Sequence, residues 1–457
     1  MLRLLARVDR VRTRDTYVHG GLKRSRVYCY VTIKSSARST FKMPKGLKGK
    51  TTRVSRTYVH PWKIEPGDLL VLDPEESQAA IREHLRLRSL SSQRPGLGEK
   101  LIQAARFDSD GLRKYVMENV FLRSVISPEY GARVSELHNL GTGHNELHGG
   151  GGYGAGGYVL LGGVEESLSR VGKPPDLWNA VYKKARSRDE DLAFTHKVEK
   201  RPGLRQMKSF LVLPDAPLLC QFSAFSFSPK KTRKKAKKGK MELNYVPGVF
   251  FGIGGETSYT NLFYVPTDEE LVRMRYNIPP WEFRWGGGIW DWRKKWHAVR
   301  PGFVLLAGEE TGECMALFAD PRELSFAWLG YNLGTPRLYL SHRPKKLPPK
   351  GRIGYGIGLL VGSAFDVTKE SLLVVSRGRD TAGGVPFAIT YRGLSRSASL
   401  NARLTLDGSS RSVKLVKKNM KGCGHIYCAS FMLDREPDRL GAELTVGEDH
   451  LRAEVRR

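Results

Sequence analysis

The sequence predicts an all-β protein, and three observations carry that prediction. Its 457 residues hold 49 glycines and 24 prolines, spread between short runs of Val, Ile, Leu, Phe and Tyr. This is the spacing of strands and turns. Apolar positions recur with period two in the stretch Val120–Gly143 (Val120, Leu122 and Val125, then Val134 and Leu137), as half-buried strands require. The best helix candidate in the chain is a single short stretch, Glu75–Arg88, with Ala79, Ile81, Leu85 and Leu87 near one side and arginines on the other.

The chain is long enough for two or three domains. Residues 1–100 read as a basic β-module with the helix and a Ser/Pro/Gly linker at 89–96, residues 101–365 as one large antiparallel supersandwich, and residues 366–457 as a smaller β-sandwich. In the first segment Val27–Lys34 is a strand, and Leu69–Leu72 follows a Glu-Pro-Gly-Asp turn as another. In the second, strands are expected at Tyr158–Leu161, Leu192–Glu199, Lys208–Leu213, Leu218–Phe227, Val249–Ile253, Phe303–Ala307, Cys314–Ala319 and Phe326–Leu329, with a long closing strand inside Lys346–Gly362. The third segment shows strands near Ser371–Ser376, Pro386–Tyr391, Ala402–Leu406, Ser412–Val416, Ile426–Met432 and Ala442–Val446 and reads as a structural accessory.

Net charge is +30, and it is unevenly placed. Residues 1–70 carry 17 Lys and Arg against four acids, a net of +13. The run Lys230–Lys240 adds +8 without an acid, through Lys230, Lys231, Arg233, Lys234, Lys235, Lys237, Lys238 and Lys240. It lies between two strands, so it is expected as an exposed loop, and such segments attract polyanions: nucleic acid, acidic polysaccharide or phosphorylated sugar. No apolar run has the length of a membrane span, and Met1–Val11 is interrupted by Arg3, Arg7, Asp9 and Arg10. A soluble, cytoplasmic protein with no membrane partner is expected. Five cysteines do not make a secreted disulfide framework, and Cys423-x4-Cys428 with His425 lacks a second pair of ligands, so neither metal nor cofactor is expected.

Strand, a Pro128–Gly131 turn, "GARV", a second strand and a Gly-Thr-Gly turn resemble the opening of the galactose mutarotase-like β-supersandwich family. The Pro-rich turn and long strand at Lys346–Gly362 resemble its close. That family binds or acts on carbohydrate. Asn145-Glu146-Leu147-His148-Gly149-Gly150 is similar to the aldose 1-epimerase motif N-x-L-H-G-G, and the likeness implies that His148 holds a proton at the sugar's ring oxygen. The chain departs from the pattern at the strand expected to carry a second histidine, which reads Gln221–Ser228 and holds none. Gly162-Gly163-Val164-Glu165-Glu166 resembles a strand that points an acid at the sugar. Only one of Glu165 and Glu166 faces any one cleft, because strand neighbours point to opposite sides; Glu165 is the assigned partner of His148. His196, on an alternating strand, is expected to contact substrate. The "STFKMPKGL" and "WKIEPGDLLVL" segments faintly resemble AbrB-type DNA-binding modules.

Five tryptophans fall within 16 residues: Trp281, Trp285, Trp290, Trp292 and Trp296. Their rings suit the apolar faces of pyranoses, and Glu282, Arg284 and Asp291 suit hydroxyls or a charged substituent. Two acids facing one cleft would serve a hydrolase, with Glu165 or Glu166 paired to Glu282, Asp291 or Glu309. The leading expectation is a carbohydrate-binding or carbohydrate-active protein, as an isomerase or glycoside-active enzyme if it is catalytic. The competing one is a nucleic-acid-binding or regulatory protein acting through its basic N-terminal module, with the sandwich as sugar sensor or scaffold.

Overall fold

A computed structural model of the protein describes residues 4–18, 22–32, 51–60, 69–72, 94–106, 113–128, 131–147, 163–168, 177, 180–185, 191–198, 201, 203–228, 241–255, 261–275, 295–297, 301–332 and 335–456. The helix expected at Glu75–Arg88 and the strand expected at Tyr158–Leu161 lie outside the described residues. Those that are described are all-β, in antiparallel sheets. They divide into two compact units: Met1–Gln93 with Ala105–Arg113 and Gly149–Leu161, and Arg94–Ala104 with Lys114–His148 and Gly162–Arg457.

The first unit contains a four-stranded sheet in the order Thr51–His60, Leu22–Thr32, Leu4–Val18, Leu69–Leu72. Strand Leu22–Thr32 pairs along its length with both neighbours.

The second unit is layered. A nine-stranded sheet runs in the order Lys183–Ala185, Leu192–Lys197, Leu204–Val212, Leu218–Phe227, Arg352–Gly362, Cys314–Phe318, Phe303–Gly308, Asn261–Pro266, Leu271–Arg275. A five-stranded sheet is ordered Lys295–His297, Leu324–Asn332, Thr335–His342, Val246–Phe250, Val164–Ser167. The hairpin Leu122–Ser127 and Arg133–Asn139 belongs to a further four-stranded sheet. Its turn closes through Gly131 (φ 71°) and Ala132 (φ 42°), the left-handed conformation that the Gly at the end of the Pro128–Gly131 turn supplies cheaply.

The central strands of the nine-stranded sheet are buried on both faces. Val304, Leu306, Met315, Leu317, Leu359 and Val361 enter one apolar core, together with residues of the five-stranded sheet and the hairpin. Their chain neighbours Phe303, Leu305, Ala316, Phe318 and Leu360 point the other way, into a second core shared with Leu372, Val374, Met420 and Ile426. Each fully buried side chain of this size contributes roughly 1.5–3 kcal/mol. The C-terminal strands form one eight-stranded sheet from Ala364–Val367 to Asp449–Arg456 that encloses a third core of Leu373, Val375, Phe387, Ile389 and Leu451. Its first and last strands meet, and Arg452 N donates to Asp366 Oδ2 at 2.8 Å.

Candidate functional site

Among the polar clusters in the apolar interior of the second unit, two include residues read from the sequence. The first is built around Glu166. Strand Val164–Ser167 pairs with Val246–Phe250 at the edge of the five-stranded sheet, and Glu166 lies opposite Pro247. Gly163 starts the strand at φ 70°, where a Cβ would come within 2.1 Å of Val134 O, so only glycine lets the strand lie this close to the opening hairpin. Glu165 and Glu166 are both buried and diverge, as alternation demands. Arg133 NH1 donates to Glu165 Oε1 at 3.2 Å.

Glu166 is enclosed by donors. Its Oε1 accepts from Gln221 Nε2 at 2.7 Å, from Ser223 Oγ at 2.5 Å and from Tyr245 OH. Its Oε2 accepts from Gln206 Nε2 at 2.8 Å and pairs with Lys208 Nζ at 3.3 Å. Gln206 and Lys208 share a face of strand Leu204–Val212, Gln221 and Ser223 share a face of Leu218–Phe227, and the register sets Lys208 opposite Ser223. Lys208 also donates to Gly131 O at 3.2 Å. Burial pulls the Lys208 ammonium down to about 8, against the raising effect of Glu166. Burial and the negative Glu166 push the Tyr182 and Tyr245 hydroxyls well above the usual phenol range. Tyr182 OH donates to Gln206 Oε1 at 2.5 Å, and the His196 ring lies against Tyr182 with centroids 5.0 Å apart.

An aromatic wall continues from this cluster. Tyr245 stacks on Tyr355 at 4.9 Å and meets His342 edge-on at 5.2 Å. His342 is fully buried, and that burial lowers its imidazole to about 4, so it is neutral at ordinary pH.

The second cluster lies where the motif Asn145–Gly150 begins. Asn145 Oδ1 accepts from Leu137 N at 2.9 Å and Leu147 N at 3.2 Å, which fixes the local backbone. Glu313 accepts from Thr142 Oγ1 at 2.6 Å and Asn139 Nδ2 at 3.2 Å through Oε2, and its Oε1 lies 2.7 Å from His144 Nδ1. The His144 side chain is 42% exposed and Glu313's only 5%. His144 rests on Gly255, where a Cβ would stand 3.0 Å from its Cδ2, and neighbouring Gly254 (φ 68°) abuts Thr311. Glu146 is fully buried behind them and accepts from Gly254 N at 2.9 Å. Burial first, then repulsion from Glu313, pushes its carboxyl well above the usual range, so Glu146 keeps its proton.

Chemically the clusters differ. Glu166 is a carboxylate fully occupied by five donors, a fixed counter-charge. With Nδ1–H donated to Glu313, His144 is held in the tautomer that leaves Nε2 free to accept a proton, an arrangement that acid–base catalysis uses.

Of the residues read from sequence, Glu166 and His196 join the first network and Glu165 lies beside it with Arg133, whereas Asn145 belongs to the second cluster. Glu309 pairs with Arg275. His148, Glu282, Arg284, Trp285, Trp290, Asp291, Trp292 and the Lys230–Lys240 run lie outside the described residues. The sequence reading missed Gln206, Lys208, Tyr182 and Tyr245, and also His144, Glu146 and Glu313. The available signal was polar pairs two apart in otherwise apolar strands, Gln206/Lys208 and Gln221/Ser223. Cys220, Cys314, Cys423 and Cys428 are buried free thiols. Among the described residues there is no group of three or more His, Cys, Asp or Glu able to hold a metal, and no helix long and apolar enough to cross a membrane.

No family model matches the chain, and no curated protein matches it in sequence. Solved structures similar to it include a TPR-domain containing protein from Parabacteroides distasonis, with 13% identity and a TM-score of 0.40 over 55% of this chain and 47% of that one. A galactose mutarotase-like protein from Clostridium acetobutylicum is similar at 8% identity and a TM-score of 0.40, over 58% of this chain and 99% of that one. A GH36 α-galactosidase from Geobacillus stearothermophilus is similar at 10% identity and a TM-score of 0.36, over 57% of this chain and 41% of that one. The chain thus spans about half of the first of these proteins and nearly all of the second.

Proposed function

We propose that the second unit is a carbohydrate-recognising β-sandwich that moves a proton at a sugar carbon or oxygen, with the His144–Glu313 pair as its base. The observation that carries this reading is the 2.7 Å contact between a half-exposed imidazole and a buried carboxylate, one residue before the Asn145–Gly150 motif. Glu313 orients the ring, and neutral Glu146 adds no second negative charge behind it. His148, four residues on in the same motif, is the candidate acid. Glu165 and Glu166, buried against Arg133 and Lys208, act as positioning groups.

The test joins binding and turnover. The purified protein is screened on a glycan array, and interconversion of aldose anomers is followed by polarimetry. The expected result is acceleration by the wild-type chain that falls on the order of 100-fold or more in His144→Asn and Glu313→Gln, with far-UV circular dichroism unchanged. Absence of both glycan binding and anomer interconversion in the wild type overturns the proposal.

A further inference from the structure

In the C-terminal eight-stranded sheet one ladder stops short. Strand Ser409–Met420 pairs with Ser399–Leu406 along its first part, from Leu406/Ser409 to Ser399/Val416. On its other side it pairs with Gly424–Leu433 only from Val416/Cys428 to Met420/Gly424. Past that point Ala429–Leu433 stays paired with Val385–Ile389. Among the described residues, Ser409–Leu415 is left with a ladder on one side only. Such an edge offers backbone N–H and C=O groups to a further strand.

The burial pattern agrees. Ser409, Ser410, Arg411 and Ser412 are exposed in succession, where alternation in a covered strand would bury every second one. Arg411 lies opposite Leu404 and so shares the inward face with the core residues Leu404 and Leu415. Its guanidinium lies over the half-buried Phe431 ring, 5.2 Å from the centroid, and Phe431 stacks on Phe387 at 6.2 Å. On the outward face Arg403 lies opposite Ser412, and Lys414 opposite Asn401. Asn401, Arg403, Ser410, Arg411 and Ser412 line an open groove of about 350 Å³. Among the described residues neither Arg403 nor Arg411 has a carboxylate partner, and Glu443, the other cross-strand neighbour of Arg403, pairs with Arg452. Between Leu394 and Leu433 the sequence holds seven Lys and Arg against one acid, Asp407, which accepts from Arg439 N.

We propose that this edge takes up an extended segment of a partner protein in which acidic residues alternate with apolar ones. The segment's backbone completes the ladder along Ser409–Leu415. Its side chains fall alternately to the two faces. Outward, carboxylates meet Arg403 and Lys414; inward, apolar groups cover Val413 and Phe431 beside Arg411. An inward-pointing charge on an open edge discourages two copies of one chain from pairing, because like charges meet, yet it admits an acidic strand. A sulfated glycan or a nucleic acid could neutralise the arginines, but it has few donors for a row of backbone carbonyls. The open ladder therefore favours a peptide. None of these residues belongs to the Glu166 or Glu313 cluster, so the surface is independent of the sugar chemistry assigned to the sandwich.

The experiment uses the full chain and fluorescence anisotropy of labelled probes. The probes are a peptide of four Val-Glu repeats, its Val-Lys counterpart, a fully N-methylated Val-Glu peptide that has no backbone donor, heparin and oligo-dT. The expected result is saturable binding of the Val-Glu peptide in preference to the other four, with slowed hydrogen exchange in Ser409–Leu415. Arg403→Ala with Arg411→Ala should weaken it on the order of 10-fold or more, with the melting temperature unchanged. If the double variant melts early, Arg403→Ala alone carries the test, since its side chain is exposed. Absence of Val-Glu binding, equal binding of the Val-Lys or N-methylated peptide, protection that falls elsewhere, or a preference of the two arginines for heparin or oligo-dT overturns the proposal.

Discussion

Glu166 and Glu313 are both buried carboxylates in the same sandwich, yet their surroundings prepare them for different work. Glu166 has five side-chain donors, one of them the ammonium of Lys208, and none of those groups is left to a ligand. Glu313 has two neutral donors and one imidazole that reaches solvent. The difference teaches that burial of an acid does not itself mark chemistry. What matters is whether one of its partners can be approached and can change protonation state.

The widest gap is expected in stability. Glu166→Ala leaves Lys208 without its counter-charge and orphans Gln221, Ser223 and Tyr245, so denaturant unfolding should show a loss of about 4 kcal/mol. Glu313→Ala should cost only about 1 kcal/mol, because its partners His144 and the exposed Thr142 regain water. Equal losses would break the comparison.

The aromatic wall beside Glu166 gives the next effect. His342 has a folded value of about 4 against 6.5 for an exposed histidine, so the unfolded chain binds its proton first. Its contribution is fully present above pH 6.5 and fades as pH falls toward 4, by up to about 3 kcal/mol. Urea midpoints taken along that range should drop, and His342→Phe should flatten the drop. A wild-type midpoint that holds steady between those pH values would mean that the ring charges within the fold.

A double-mutant cycle sharpens the assignment of Glu166 as a counter-charge. Glu166→Gln and Lys208→Met together should cost about 2 kcal/mol less than the sum of the single changes. Additive losses would show that the two side chains do not depend on one another.

The smallest effect lies behind His144. Glu146 keeps its proton where an exposed glutamate gives it up, so the wild-type fold is penalised as pH rises above 4.5. Glu146→Gln carries no such penalty, and its advantage should grow as pH rises above 4.5. An advantage that shrinks with rising pH would place a negative charge on Glu146.

Strand chemistry was largely legible in the sequence, because period-two alternation is a local property. The Leu122–Ser127 and Arg133–Asn139 hairpin and the central strand Leu218–Phe227 fall where their apolar spacing places them. The last strand, Asp449–Arg456, escaped notice because its inward residues Leu451, Ala453 and Val455 are separated by charge, and only their alternation marks it. Strand Ser409–Met420 begins earlier than its apolar residues suggest, since its first four residues are exposed. The sites were less legible for a different reason. His144 and Glu313 are 169 positions apart, and Glu166 and Tyr245 are 79 apart. Sheet order decides which strands meet, and alternation within a strand says nothing about its neighbours.

The central strands of the nine-stranded sheet, apolar on both faces, make the C-terminal strands a structural necessity for the sandwich. A chain ended after Gly362 would leave Leu305, Phe318 and Leu360 facing water as one broad sticky surface. During synthesis that surface stands uncovered until the C-terminal strands are made, a span in which the chain is prone to aggregate. The window closes when Leu372, Val374 and Ile426 arrive.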